Sequence, residues 1–71
     1  MDECIESLAN AIILQAVADY RKALRILKRY PRYEAALKEK KRDEEFFQSE
    51  WYKQLTNVDG KMLIRRLQEE V

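Results

Sequence analysis

The chain has 71 residues and contains no histidine, one cysteine, one glycine and one proline. Without histidine, neither Ser7 nor Ser49 has the base that usually activates a serine nucleophile. Cys4 has no second cysteine with which to form an internal disulfide, and it has no histidine with which to share a zinc ion. A single glycine cannot form a glycine-rich phosphate loop. These absences predict a protein that is not an enzyme and that takes no metal, no cofactor and no small-molecule substrate.

Long apolar runs are also missing. The longest unbroken one is 11–14, whereas a membrane-spanning helix needs about 20 apolar residues. The chain shows no signal sequence, and a single cysteine is typical of a reducing compartment. We therefore expect a cytoplasmic protein that does not span a membrane.

The residues that are abundant favour helices. Ala, Leu, Glu, Lys, Arg and Gln dominate, and no run of β-branched residues suggests a strand. A chain of this length forms one domain at most. We expect a single all-α domain over 1–71. It would be a small bundle of three helices plus a short connecting helix.

Helix 1 is predicted from about residue 3 to residue 29, with Asp2 as its N-cap. Leu14 points away from its apolar stripe. The stripe covers roughly half of the circumference, so it can meet two neighbours at once. Its members are Ile5, Leu8, Ala9, Ile12, Ile13, Ala16, Val17, Tyr20, Ala23, Leu24, Leu27 and Tyr30.

The bounds of the remaining helices are predicted from residues that typically end or begin helices. Pro31 ends helix 1, and helix 2 then runs antiparallel to it, from 32 or 33 to 47 or 48. Ser49 can cap a short helix over 50–55 after a break near Gln48. Thr56 and Asp59 resemble a capping box, which predicts a last helix over 57–70. Gly60 inside that helix indicates that an aromatic residue of 46–52 packs closely against it.

Four of the seven aromatic residues lie within 46–52. Phe47 and Trp51 share one face of a continuous helix, so we expect both to lie in the core. Phe46 and Tyr52 lie off that face by a quarter turn or more. They are either core residues or part of an interface. With helix 1 they complete a candidate protein interface of Ile13, Leu14, Val17, Phe46 and Tyr52.

Charge is unevenly distributed, although the net charge is only +1. Residues 1–20 carry −4, residues 21–42 carry +8 and residues 43–71 carry −3. Five bases of helix 1 lie on the side opposite its apolar stripe, and Arg32 adds to them across the turn. Together they form a candidate contact for an acidic partner. They are Arg21, Lys22, Arg25, Lys28, Arg29 and Arg32.

Three interpretations of these bases stay open. They form a solvated face, they contact the acidic pole of a protein partner or a second copy, or they bind nucleic acid phosphates. Repulsion between the basic end of helix 1 and the basic start of helix 2 is not needed for folding. It therefore favours an acidic partner. No helix-turn-helix spacing is recognisable.

Two segments together resemble a known group of proteins. They are 8–21, LANAIILQAVADYR, and 46–67, which contains FFQSEWY, LTNVDG and LIRRL. The chain is similar to small, mostly uncharacterised proteins of prophages and mobile elements in Gram-positive bacteria. The resemblance implies a bacterial cytoplasm and a phage-type role in host takeover, defence evasion or regulation. It also implies that Phe46, Phe47, Trp51, Asp59 and Gly60 belong to one structural unit.

The leading hypothesis is a non-enzymatic helical interaction module that binds protein. Because the chain is very short for its apolar content, we expect a homodimer formed through the wide stripe of helix 1. The alternative is a nucleic-acid-binding regulator that uses the basic tip of the helix 1–helix 2 hairpin.

Overall fold

A computed structural model describes the backbone of residues 2–71 and the side chains of residues 7–71. It has four helices: α1 (Asp2–Arg29), α2 (Glu34–Phe47), α3 (Glu50–Leu55) and α4 (Gly60–Glu70). Residues 2–71 contain no strand, so the prediction of a small all-α fold is confirmed. Nor does any helix in this range combine the length and apolar character that crossing a membrane requires. The predictions for the side chains of Asp2, Cys4 and Ile5 lie outside the described residues.

The turn at Pro31 joins α1 and α2 into an antiparallel hairpin. The main-chain nitrogen of Tyr30 still donates to the Ile26 oxygen at 2.7 Å, and that of Tyr33 then donates to the Tyr30 oxygen at 3.1 Å. Farther from the turn, the rings of Tyr20 and Phe47 meet edge to face, with centroids 5.8 Å apart. The predicted hairpin is therefore confirmed.

The break after α2 is set by Ser49. Its hydroxyl accepts a hydrogen bond from the Tyr52 main-chain nitrogen at 3.1 Å and donates one to the Phe46 oxygen at 2.6 Å. One side chain thus caps the start of α3 and satisfies a carbonyl at the end of α2. The predicted cap and the predicted short helix are both confirmed.

The start of α4 was predicted three residues too early. Thr56 does not cap the helix, because its hydroxyl accepts from the Val58 main-chain nitrogen at 3.2 Å within the loop. The cap is Asp59, whose carboxylate accepts from the Lys61 main-chain nitrogen at 3.0 Å. Gly60 is therefore the first residue of α4, and the proposed capping box does not form.

The core lies where α1, α2, α3 and α4 meet. Tyr52 is only 1% exposed, whereas Trp51 is 56% exposed. The prediction that Trp51 anchors the core is therefore wrong. Its cause is the break at Ser49, because the helical periodicity of α2 does not continue into α3. The buried apolar side chains are Val17, Tyr20, Ala23, Ala36, Phe47, Tyr52 and Leu67.

The molecule is elongated, with principal extents of 44 × 20 × 19 Å. Helix α1 has 28 residues, whereas α2 has 14 and ends beside Tyr20. The N-terminal part of α1 therefore extends beyond the end of α2. Leu8 on this extension is largely exposed. From Val17 to Ala23, by contrast, the apolar stripe of α1 is covered by the other helices.

Candidate protein interface

A largely apolar groove of about 430 Å³ runs between α1 and α4 and is closed at one end by the loop after α3. Val17, Tyr52 and Leu67 form its buried floor. Ile13 and Leu63 are half-buried in its walls, while the exposed residues Leu14 and Val58 stand at its edges. The other lining residues are Asn10, Arg21, Thr56, Arg66 and Glu70.

Four of the five predicted interface residues line this single groove. Val17 and Tyr52 are buried in its floor, so they support the groove and present little surface to a partner. Ile13 is half-buried, and Leu14 is 65% exposed. Phe46 does not line the groove. Its ring packs edge to face against Trp51, with centroids 6.2 Å apart.

The outer edge of the groove on α1 carries small side chains around Leu14. Ser7 and Ala11 precede Leu14 by seven and three residues, Ala18 follows it by four, and all three are exposed. Residues at these spacings lie on one side of a helix. A second helix can approach such a surface closely because the side chains are short.

The groove is bounded by an ion pair between α1 and α4. Arg21 Nε lies 2.9 Å from Glu70 Oε2, and Arg21 Nη2 lies 3.3 Å from Glu70 Oε1, which is the bidentate arrangement. About two turns further along α1, Lys28 Nζ donates to the Val71 main-chain oxygen at 2.8 Å. Neither contact could be predicted, because nothing in the sequence shows against which part of α1 the end of α4 packs.

Beyond this ion pair, the space between the two helices widens into a basic cleft of about 590 Å³. The cleft is lined by Arg21, Arg25, Lys28, Arg29, Glu70 and Val71. Within the described side chains, the other predicted bases, Lys22, Arg25, Arg29 and Arg32, are exposed and form no ion pair. Of the six bases predicted to contact an acidic partner, Arg21 and Lys28 are therefore engaged by the end of α4, and the other four are accessible to a partner.

A polar cluster closes the other side of the core. Tyr20 donates to Glu44 Oε2 at 2.5 Å and accepts from Gln68 Nε2 at 3.1 Å, and Lys40 donates to the same Glu44 oxygen at 2.8 Å. Burial alone would raise the pKa of Glu44, but the hydrogen bonds from Lys40 and Tyr20 outweigh it and lower that pKa. Burial, together with Glu44, raises the pKa of Tyr20. This cluster lets two charged residues occupy the apolar side of α2.

Asp43 is the one charged residue that is buried among the described side chains, at 5% exposure. Its Oδ2 atom has no hydrogen-bond partner. Burial raises its pKa to about 7, and the nearby carboxylates of Glu39 and Asp19 act in the same direction, against Arg42. The sequence gives no sign of this burial, because Asp43 stands in a run of charged residues.

These polar groups are structural in character, because neither Tyr20 nor Glu44 nor Asp43 opens into the groove or the basic cleft. No group of three or more metal-ligating carboxylates or thiols occurs in the described part of the chain. Comparison of the chain with protein-family models, with curated proteins and with solved structures gave no match. The features from which a function can be proposed are therefore the groove, the basic cleft and the exposed side chains beside them.

Proposed function

We propose that this protein is a helical interaction module that acts by binding protein, and that the groove binds a second copy of the chain. The observation that carries this proposal is the groove itself, with Leu14 exposed at its edge. The apolar groove and the exposed Leu14 beside it together form a surface on which a helix of another molecule can pack. In a two-fold dimer, each copy would place the Leu14 side of its α1 against the groove of the other.

Charge favours an antiparallel arrangement of the two α1 helices. Glu3 and Arg25 are each eleven residues from Leu14, in opposite directions, or roughly 16 Å along a helix. With the two-fold axis near Leu14, position 3 of α1 in one copy would therefore lie level with position 25 in the other. The acidic start of α1, with Asp2, Glu3 and Glu6 and no base, would run along the basic cleft. A parallel pair would align like charges instead.

The accessible surface of the chain is larger than that of a compact monomer of the same mass, which also favours a partner. The accessible surface of the chain is 5840 Å². A compact monomer of 8.6 kDa would have about 4,700 Å², so the excess is about 1,100 Å². A standard interface takes about 800 Å² from each partner. The elongated chain thus has enough spare surface for an ordinary dimer contact.

The setting we propose is the bacterial cytoplasm, with a phage or mobile-element origin. It is supported by the resemblance of 8–21 and 46–67 to small proteins of prophages. A binding module of this size suits host takeover, defence evasion or regulation. Finding the gene among phage genes in bacterial genomes would support this setting, and a consistent housekeeping neighbourhood would contradict it.

A pair of matched variants tests the dimer. Leu14→Asp places a charge in the centre of the proposed contact, and Met62→Asp places the same charge on an exposed side chain that does not line the groove. Sedimentation equilibrium should show a dimer for Met62→Asp and mainly monomer for Leu14→Asp, with a dissociation constant raised at least tenfold. Equal self-association of the two variants would contradict the proposed surface. Circular dichroism should show that both keep their helices.

A further inference from the structure

We propose that the turn between α1 and α2 binds single-stranded nucleic acid. The site is the aromatic-basic tip, which consists of Arg29, Tyr30, Pro31, Arg32 and Tyr33. These five residues line an open cleft of about 440 Å³ at the end of the hairpin. The inference goes beyond self-association and does not depend on it. The groove around Leu14 is lined by other residues, and the tip shares only Arg29 with the basic cleft.

Two tyrosine rings are exposed at the tip. Tyr30 is 59% exposed and Tyr33 is 52% exposed. Within the described part of the chain, neither ring pairs with another aromatic ring and neither hydroxyl has a hydrogen-bond partner. Small polar residues and glycine are the usual choice for a turn. The fold does not require two exposed tyrosine rings at this turn, and their exposed faces are available to a ligand.

Unpaired positive charge is concentrated in the hairpin that carries these rings, and Arg29 and Arg32 line the same cleft. Residues 21–42 carry ten bases and only two acids, Glu34 and Glu39. In the described side chains, ion pairs or main-chain contacts engage only Arg21, Lys28 and Lys40 of these bases. The seven that remain are all exposed: Lys22, Arg25, Arg29, Arg32, Lys38, Lys41 and Arg42.

Rings and cations together select a single strand over a duplex. Arginine and lysine side chains bind phosphates, and exposed aromatic rings stack on bases that are not already stacked in a helix. At the tip the two kinds of side chain alternate along the chain as Arg29, Tyr30, Arg32 and Tyr33. An acidic protein segment would satisfy the charges but would leave both rings without a stacking partner. The observations therefore favour a single-stranded nucleic acid.

The binding experiment uses the full chain and fluorescein-labelled twelve-residue oligo(dT) and oligo(U), followed by fluorescence anisotropy. Binding should appear at low salt and weaken as salt rises. Each phosphate contact contributes about −0.7 to the slope of log K against log salt, so three or four contacts give roughly −2 to −3. Tighter binding of one oligomer identifies DNA or RNA as the preferred strand. A poly-glutamate peptide of the same charge should bind at least tenfold more weakly than either.

Matched substitutions separate stacking from charge. Tyr30→Ala and Tyr33→Ala should each weaken oligomer binding on the order of five- to a hundredfold, whereas Tyr30→Phe and Tyr33→Phe keep the ring and should bind nearly as well as the parent. Arg32→Gln should weaken binding and reduce the salt slope, while Arg65→Gln, the same change on exposed α4 surface, should do neither.

Three results would overturn the proposal. They are no binding at 20 mM salt, binding that the two alanine variants leave unchanged, and poly-glutamate binding as tight as that of the oligomers. The last result would identify the tip as a site for an acidic protein instead. All substituted side chains are exposed, so each variant should retain the helical circular dichroism spectrum and melting temperature of the parent.

Discussion

Gly60 lies directly against the main-chain carbonyl group of Phe47. A Cβ atom at position 60 would stand 2.8 Å from the Phe47 carbonyl carbon and 3.4 Å from Cε1 of Tyr52. Real Cβ atoms essentially never come within 3.0 Å of another heavy atom. This contact joins the end of α2 to the start of α4. It confirms the prediction that an aromatic residue of 46–52 explains the glycine, although the closest atoms belong to the main chain of Phe47.

Gly60→Ala should therefore destabilise the protein. The added methyl group meets backbone that cannot rotate away, so α2 and α4 must separate, which typically costs about 1–3 kcal/mol. Alanine is otherwise the better helix former by about 0.5–1 kcal/mol, which offsets part of this loss. Urea unfolding should show a lower midpoint with an unchanged slope. Lys61→Ala, an exposed change in the same first turn of α4, is the control and should have little effect.

Much of this fold could be predicted because local signals decide it. Pro31 ends α1 and Ser49 starts α3 through chemistry within a few residues, and Gly60 marks a close approach through its own lack of a side chain. The wide apolar stripe of α1 was also informative, since α2 and α4 both pack on it. The direction of the hairpin then follows from the short turn alone.

What the sequence could not supply depends on how separate elements meet. Trp51 was expected in the core and is exposed, whereas Tyr52, for which core and interface both stayed open, is buried. A break of unknown angle separates both residues from Phe47. The groove was only partly foreseen: four of its lining residues were predicted as an interface, but not that α4 forms the second wall. The contacts of Arg21 and Lys28 with the end of α4 depend on the same packing.

Asp43→Asn should stabilise the protein at pH 8. The folded pKa of Asp43 is about 7, above its ordinary value of 3.8. The folded state therefore holds a proton that the unfolded state has lost between these two pH values, and stability falls as pH rises through this window. Above pH 7 the carboxylate is charged, buried and only partly hydrogen-bonded, which costs about 1–3 kcal/mol. The amide is neutral at every pH.

The pH dependence is the decisive part of this measurement. The unfolding free energy of Asp43→Asn minus that of the parent should grow between pH 4 and pH 7 and stay constant above pH 7. Urea titrations at pH 4.5, 6 and 8 measure it. Glu45→Gln removes a neighbouring exposed carboxylate and should show no such trend. A difference that is flat across this range would contradict the account of Asp43.

Glu44→Gln, one residue further along α2, should have the opposite effect. Its carboxylate accepts hydrogen bonds from Lys40 and Tyr20, and its pKa is lowered from the ordinary value of 4.5. The stabilisation is therefore present at neutral pH and is lost as pH falls through the folded pKa. At pH 7 the substitution should reduce the unfolding free energy by about 1–3 kcal/mol. A neutral or stabilising result at pH 7 would show that the cluster around Tyr20 is dispensable.

Charge exchange tests the antiparallel register of the proposed dimer. Glu3→Lys and Arg25→Glu should each weaken self-association several-fold, because the proposed antiparallel arrangement would bring like charges to the same level of the two helices. The double variant restores opposite charges and should recover most of the lost affinity. Sedimentation equilibrium at low and high salt gives the dissociation constants. If the double variant loses as much binding free energy as the two single variants together, positions 3 and 25 do not interact in the dimer, which would contradict the antiparallel register.

The central claim is that the groove between α1 and α4 is occupied by a second copy of the chain. The molar mass of the unaltered protein, measured by sedimentation equilibrium from 1 to 100 µM, tests it most directly. The mass should rise with concentration to twice the 8.6 kDa of one chain and no further, because a two-fold contact is closed. A mass of 8.6 kDa throughout that range would contradict it.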